Sequence, residues 1–349
     1  MRIGFDSKRL YCNFTGLGNY SRALVKNVQA LYLDNEYFLY SPKIKKAPET
    51  TFFYNNSNFK TYLAKTVFKA YWRSFSISSQ LKKDGVQLYH GLSNELPVNL
   101  KKYNIKSVVT IHDLIFKILP ETYPLIDRNI YDFKFRKACL LADKVIAISN
   151  STKTDIVKFY GINPDKIEVI YQSCSPLFYE PIEHQESNSL TEQYKLPNQY
   201  LLSVGSVEKR KNLKLIIEAY QHLKPEHQVP LVVIGRGKTY KKEVLDLIAS
   251  NGLEKKVIWI TNLKDNKVLR VIYQKATALV YPSFYEGFGL PIVEAMLSKI
   301  PVITSNVSSL PEAGGPNSLY INPSSSGELA DAITQVLTNA ELVNKMIEE

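Results

Sequence analysis

At 349 residues, 45% hydrophobic and 22% charged, the chain has ordinary globular composition and is too long for one core, so two domains are expected. No run approaches the roughly 18 uninterrupted apolar residues of a membrane-spanning helix. The start MRIGFDSKRL lacks a signal-peptide core, and the scattered Cys12, Cys139 and Cys174 suit neither a disulfide framework nor a metal cluster, so a cytoplasmic protein is expected. The net charge of +11 is uneven: residues 1–180 hold 26 basic and 15 acidic side chains, the remainder 18 of each. The N-terminal half therefore favours anionic partners.

Short β-rich runs alternate with helical patterns. Strands are predicted at Arg2–Phe5, Val86–His90, Ser107–Ile111, Lys144–Ile148 and Ile167–Ile170, with helices near 19–30, 60–83, 124–141 and 151–160. The polar stretch 181–199 reads as a linker between domains 1–180 and 200–349. The second series has strands at Tyr200–Val204, Leu231–Ile234, Lys256–Ile260, Thr277–Tyr281, Pro301–Ile303 and Ser318–Ile321. Helices are predicted near 212–223, 239–251, 266–275 and 291–298, and one from Gly327 to the end. This rhythm predicts an α/β protein of two doubly wound, Rossmann-like domains facing a central cleft, with ligand at the carboxyl ends of the strands.

The most informative stretch runs from Tyr281 to Glu294, YPSFYEGFGLPIVE, from a strand end into a helix. Gly287 and Gly289 permit a sharp bend and close ligand approach, and Pro291 suits a first helical turn. The free N–H groups of that helix start can meet a diphosphate or a sugar hydroxyl. Glu286 and Glu294 flank the loop, and a carboxylate accepts two hydroxyl hydrogen bonds at once. Taken alone, Gly-Phe-Gly is as readily a structural turn. A second strand-end turn, Gly205 to Asn212, opens with Gly205 and Ser206 and carries Lys209, Arg210 and Lys211. Arg grips phosphate with two prongs and Lys adds a point charge; a solvated basic turn is the plainer alternative. A third turn, at Gly235, follows the next strand.

Together these segments resemble the retaining glycosyltransferases of GT-B fold that include bacterial cell-wall, lipopolysaccharide and capsule mannosyl- and glucosyltransferases. The carrying residues are Gly205–Leu213 and Pro282–Ala295, with the Glu-x7-Glu spacing of Glu286 and Glu294; Thr15–Tyr20 and Thr110–Leu114 also fit. The resemblance implies that Arg210 and Lys211 bind the donor diphosphate, and that Gly205, Ser206 and Gly235 line the donor pocket. It implies that Glu294 holds the ribose and Glu286 faces the donor sugar. The backbone of Gly287, Phe288, Gly289 and Leu290 would contact sugar and phosphate. On the acceptor side it implies Gly16, Leu17 and Gly18, with Asp113 beside His112, which reaches the donor sugar. Glu286, His112, Arg210 and Lys211 would form the catalytic set.

The chain has no Asp-x-Asp pair, and its five histidines show no zinc spacing. No metal or cofactor is therefore expected, and the cations with the helix start at Leu290-Pro291 would meet the leaving-group charge. The resemblance implies retention at the anomeric carbon by front-side attack, a covalent intermediate on Glu286 being the minority alternative. Relatives carry a glycine where this chain reads Thr261-Asn-Leu263, and they end in a longer helical tail, so a truncated form is expected. The segment Phe59–Lys83 places Lys65, Lys69 and Arg73 at four-residue intervals among aromatics; on one helix this gives a cationic stripe suited to an anionic membrane surface, or equally an ordinary amphipathic helix that packs its aromatics in the core. The expected partners are a nucleotide diphosphate sugar, GDP-mannose before UDP-sugars, and a saccharide or lipid-linked acceptor. Nucleic acid is not expected. A sugar-nucleotide epimerase or hydrolase, and a non-catalytic binding subunit, are the alternatives.

Overall fold

A computed structural model of the chain describes residues 1–178, 180, 182–261, 263 and 266–348. They divide into two compact units, Met1–Ser173 and Cys174–Glu349. Among the described residues the first unit holds a seven-stranded parallel sheet. Its strands are β1 (Arg2–Asp6), β2 (Glu36–Ser41), β3 (Phe59–Leu63), β4 (Leu88–Gly91), β5 (Lys106–Ile111), β6 (Lys144–Ala147) and β7 (Ile167–Val169). Their spatial order is 3-2-1-4-5-6-7. The second unit holds β8 (Leu201–Val204), β9 (Leu231–Ile234), β10 (Val257–Ile260), β11 (Ala278–Tyr281), β12 (Val302–Ser305) and β13 (Leu319–Ile321). These are also parallel, in the order 10-9-8-11-12-13.

Crossover helices bury both faces of such sheets, so the strands are near-continuous apolar runs: every residue of β11 and five of the six in β2 are buried. In each sheet the winding reverses beside the first strand, between β1 and β4 and between β8 and β11. Ligands of open α/β sheets sit outside the carboxyl ends of the strands at such a reversal. This topology brings the turn after Val204 next to the loop after Tyr281.

The structure departs from the sequence reading in four places. β2 and β3 were not anticipated, and Phe59–Leu63, read as the start of a helix, is the strand at the sheet edge. The helix there begins only at Lys69 and passes through a π-helical turn, Trp72–Ser76, into Ile77–Lys83. The expected cationic stripe therefore does not form: Lys65 lies before the helix, and Arg73 turns inward onto Asp6 at 2.5 Å and Glu95 at 3.2 Å. The segment read as a linker carries a helix, His184–Gln193, inside the second unit, and the boundary falls after Ser173; Pro181 of that segment is outside the described residues. The terminal helix is two helices, Ser326–Thr338 and Ala340–Glu348, broken at Asn339. Among the described residues no helix is long and apolar enough to cross a membrane.

Candidate functional site

In the second unit the chain leaves β8 at Val204 and turns at Gly205, whose φ of 140° suits only glycine. Gly205 N–H donates to the Ile234 carbonyl (2.9 Å) and Val207 N–H to the Arg236 carbonyl (2.8 Å), which ties this turn to the one after β9. The two backbones approach so closely that a Cβ at Gly235 would lie 1.9 Å from the Gly205 carbonyl oxygen. Ser206 is exposed on this turn. The basic run Lys209–Lys211 then forms a 3₁₀ turn ended by Asn212 in the left-handed region, with φ 57°. The Asn212 amide donates to the Pro282 (3.1 Å) and Pro323 (2.7 Å) carbonyls. Arg210 donates to the Tyr285 carbonyl at 2.8 Å, and its own carbonyl accepts from Phe284 N–H. The basic turn and the glycine loop are thus clamped together.

Their side chains meet at Glu286. Its Oε2 lies 2.6 Å from Arg210 Nη1 and its Oε1 2.6 Å from Lys211 Nζ. The Tyr281 hydroxyl donates to Oε1 at 3.0 Å and accepts from Lys211 Nζ, which stands 4.7 Å from the centre of the Tyr281 ring. Burial by itself would raise the Glu286 pKa; the charges of Lys211 and Arg210 and their hydrogen bonds outweigh it and hold the carboxyl at about 2. Burial lowers the Lys211 pKa against the opposing pull of Glu286, while the Glu286 charge overcomes burial and raises that of Arg210. Glu208, which is exposed, also stands 3.7 Å from Arg210 Nη2, so two cations meet two carboxylates, and the buried one, Glu286, holds both cations at the sheet's reversal point.

The loop is held from beneath as well. Ser308 Oγ accepts from Glu286 N–H (3.1 Å), and Ser309 Oγ donates to the Glu286 and Phe288 carbonyls at 2.9 and 2.8 Å. Gly287 and Phe288 are buried. Gly289, at φ 123°, turns the chain into helix Leu290–Leu297, with Pro291 in its first turn. One turn on, Glu294 Oε2 accepts from the Tyr273 hydroxyl at 2.8 Å, and burial raises the Glu294 pKa. Arg210, Lys211, Glu286 and the 287–290 backbone therefore gather at one strand end, with Gly205 beside Lys211. Sequence reasoning missed Asn212, Tyr273, Tyr281, Ser308 and Ser309. Tyr281 is the last residue of β11, and Tyr273 lies inside helix Asn266–Lys275. Arg236 Nε donates to the Thr261 carbonyl at 2.9 Å; Asn262 is outside the described residues.

In the first unit, helix Gly16–Leu31 starts behind the end of β1. Asn13 Oδ1 accepts from the Thr15 and Gly18 amides (2.9 and 3.1 Å), and a Cβ at Gly18 would lie 1.8 Å from the Asn13 carbonyl oxygen. Gly16 faces open space and Leu17 is half-buried. Arg22 anchors this turn by donating to the Leu10 and Asn13 carbonyls at 2.9 and 2.8 Å. At the end of β5, His112 is 2% exposed. Its Nε2 donates to the Leu92 carbonyl at 2.9 Å, so Nδ1 is the unprotonated nitrogen, and it accepts from the Gln172 amide at 3.1 Å. The Tyr20 ring meets it edge-on at 4.8 Å. Burial lowers the His112 pKa to about 4, against the bond to Leu92, so the imidazole is neutral near pH 7 and its one acceptor is held by Gln172. Asp113 Oδ1 accepts from Ile115 N–H at 3.2 Å. His90, on β4, shares Thr110 Oγ1 with the Tyr20 hydroxyl, each at 2.9 Å.

Among the described residues no group of three His, Cys, Asp or Glu side chains is placed to hold a metal ion.

Comparisons with known proteins agree with this architecture. Residues 186–349 match the family model "Glycosyl transferases group 1", and residues 14–174 match "Glycosyltransferase Family 4". O-antigen chain mannosyltransferase B of Escherichia coli is 34% identical over 255 residues, covering 72% of this chain and 65% of that protein. Serotype-specific mannosyltransferase WbdA of Escherichia coli is 30% identical over 263 residues, which is 73% of this chain and 32% of the relative. The chain thus matches just under two thirds of the first relative's length and about a third of the second's. HepE of Anabaena, solved with UDP and glucose, superposes with a TM-score of 0.76 at 17% identity, over 99% of this chain and 92% of HepE. With a family match on each unit and two Rossmann-like sheets beneath them, the chain belongs to the group 1 glycosyltransferases of GT-B fold.

Proposed function

We propose that the protein is a retaining glycosyltransferase that moves a sugar from a nucleotide diphosphate sugar to a saccharide or lipid-linked acceptor. The observation that carries this reading is the Arg210–Glu286–Lys211 cluster, a buried group that sets two cations at the winding reversal of the second sheet. Mannosyl transfer in polysaccharide assembly, with GDP-mannose as donor, is favoured by the mannosyltransferases among the relatives. UDP-sugars come next, since HepE was solved with UDP.

In this mechanism the donor's anomeric C–O bond to the diphosphate breaks while the acceptor oxygen bonds to the same carbon from the same face. The acceptor proton passes to the departing phosphate oxygen. Arg210, Lys211 and the first turn of helix Leu290–Leu297 neutralise the developing charge of the leaving group, so no metal ion is required. Glu286, kept ionised by its two cations, faces the sugar and stabilises positive charge at the anomeric carbon. Glu294 binds the ribose hydroxyls, and the Tyr273 hydroxyl orients it. His112, neutral with Nδ1 free of a proton, accepts a sugar hydroxyl in place of the Gln172 amide rather than moving a proton. The acceptor lies on the side of the first unit, near Gly16–Gly18 and Asp113, and is reached from a peripheral position on an anionic membrane.

Thermal unfolding with a panel of nucleotide diphosphates and chelator present tests the reading. A ligand at 100 times its dissociation constant stabilises by about 2.7 kcal/mol, and Lys211→Ala should abolish the shift. No shift with any nucleotide would sink it. Release of free sugar from the donor without acceptor would favour a hydrolase instead.

A further inference from the structure

One short loop holds His112 at two points. The pairing of β4 with β5 ends at Gly91 and Val109, while β5 runs on to Ile111. The loop that leaves β4 takes over its hydrogen bonds. Asn94 N–H donates to the Thr110 carbonyl at 2.9 Å. Asn94 Oδ1 accepts from His112 N–H at 2.8 Å, and the Leu92 carbonyl accepts from His112 Nε2 at 2.9 Å. Residues 92 and 94 therefore hold both the ring and the backbone of residue 112.

The loop folds back tightly between residues 91 and 95. A Cβ at Gly91 would lie 2.2 Å from the Glu95 carbonyl oxygen, and Asn94 has φ 58°, in the left-handed region where asparagine is enriched. Glycine would adopt that φ at less cost, so the backbone alone does not call for asparagine here. What its side chain adds is an acceptor for His112 N–H. Asn94 is 8% exposed and His112 2%, and a buried N–H without an acceptor is costly.

The same contacts decide which ring nitrogen carries the proton. In a neutral imidazole one nitrogen donates and the other accepts, and the partner of one fixes the state of both. The Leu92 carbonyl can only accept, so it draws the proton to Nε2. The other polar partner does not choose, because the Gln172 carboxamide beside Nδ1 can present either its amino group or its oxygen. The Tyr20 hydroxyl is bonded to Thr110 instead. Nδ1 thus stays an acceptor only while the ring rests on Leu92, and the backbone that sets the ring there is pinned by Asn94.

We propose that Asn94 is a positioning residue for His112: by holding His112 N–H it keeps the ring on the Leu92 carbonyl and the proton on Nε2. The inference rests on the reading above, in which Nδ1 accepts a sugar hydroxyl, and names the side chain on which that acceptor depends.

Nitrogen-15 NMR of the histidine rings, on the full chain at pH 8 without ligand, is the first test. The His112 signals are assigned by their absence from His112→Asn. In the parent they should show a proton on Nε2 and none on Nδ1. Asn94→Gly accepts the same φ but removes the acceptor, and its His112 shifts should move toward the average of the two tautomers. Asn94→Asp restores an oxygen at the same place and should restore the parent's pattern. Calorimetry with GDP, GDP-mannose, UDP and UDP-glucose follows. In Asn94→Gly the sugar nucleotide that binds the parent should bind about fivefold more weakly, its diphosphate should bind unchanged, and Asn94→Asp should recover the loss. A parent ring protonated at Nδ1 would overturn the proposal without any variant. Parent-like shifts in folded Asn94→Gly, or equal losses for diphosphate and sugar nucleotide, would overturn it as well. A chain that binds no nucleotide but shows the expected shifts keeps the role of Asn94 and loses the donor reading. Nucleotide binding with unmoved shifts loses the inference alone.

Discussion

Glu286 is bonded to Lys211 directly, Oε1 to Nζ at 2.6 Å, and again through the Tyr281 hydroxyl. Without ligand the carboxylate occupies the cations that an incoming diphosphate would need. In Glu286→Gln the cluster keeps its shape but loses its negative charge, leaving two buried cations facing the pocket. Breaking a buried pair in this way costs about 3 kcal/mol of stability. The same change should tighten nucleotide diphosphate binding while transfer falls to background. Calorimetric titration beside a transfer assay would show this opposition; weakened nucleotide binding would mean that Glu286 itself organises the phosphate site.

Acid should expose the same carboxylate. Its folded-state pKa, about 2, lies below the ordinary 4.5, so its stabilisation is complete above pH 4.5 and disappears as pH falls toward 2. The difference corresponds to on the order of 3 kcal/mol. Urea unfolding of parent and Glu286→Gln between pH 2 and 6 should show the parent losing about that much more. Glu294 carries the opposite sign, because burial raises its pKa: its ionised form disfavours folding above pH 4.5. Glu294→Gln should therefore hold or gain stability at pH 7 while nucleotide binding weakens through the lost ribose contact. Equal acid sensitivity in parent and Glu286→Gln would contradict the charge assignment.

The loop residues that gather around Glu286 were legible in the sequence because their chemistry is local. Gly289 must adopt φ 123°, and two cations beside a glycine turn declare themselves in order. The sequence reading missed the support of that loop because Asn212, Ser308 and Ser309 act on backbone 70, 22 and 23 residues away, distances at which sequence carries no spacing signal. The fold was legible from the βα rhythm, except where β2 and β3 failed to stand out. Residues 59–63, Phe-Lys-Thr-Tyr-Leu, show no clean period-2 alternation, and the cations that follow at four-residue intervals suggested one helix across both. Arg73 shows why that periodicity misled: its partners are Asp6 and Glu95, not solvent. His112 was identified by its motif, while its neutral state depends on burial that only the fold reveals.

Two glycines named for the site should respond oppositely to alanine. At Gly235 the new Cβ would lie 1.9 Å from the Gly205 carbonyl oxygen, forcing the β8 and β9 turns apart at a cost of about 2 kcal/mol. At Gly16 a Cβ meets nothing within 4 Å, and alanine in the first helical turn should stabilise by about 0.5 kcal/mol. If Gly16 serves the acceptor, Gly16→Ala should nonetheless raise the acceptor KM and leave donor binding alone. Chemical denaturation and initial rates on the two variants check both halves. An unchanged acceptor KM would remove Gly16 from the site.

His112 and His90 set the acid response of the first unit. Burial lowers the first to about 4 and the second, with help from the His112 charge, to about 3. Both are neutral when folded, whereas the unfolded chain takes up protons below pH 6.5, so stability falls with pH from there and each loss is complete near the folded pKa. His90→Gln keeps a hydrogen-bonding group toward Thr110 and should flatten the decline between pH 6.5 and 4. Transfer should show no ionisation near 6.5, because His112 stays neutral throughout the range in which an ordinary histidine titrates. His112→Asn, which retains a side-chain acceptor, should lower donor turnover without introducing a pH dependence. A rate profile that bends near pH 6.5 in the parent and straightens in His112→Asn would instead make His112 a proton carrier and overturn its assignment as a hydroxyl acceptor.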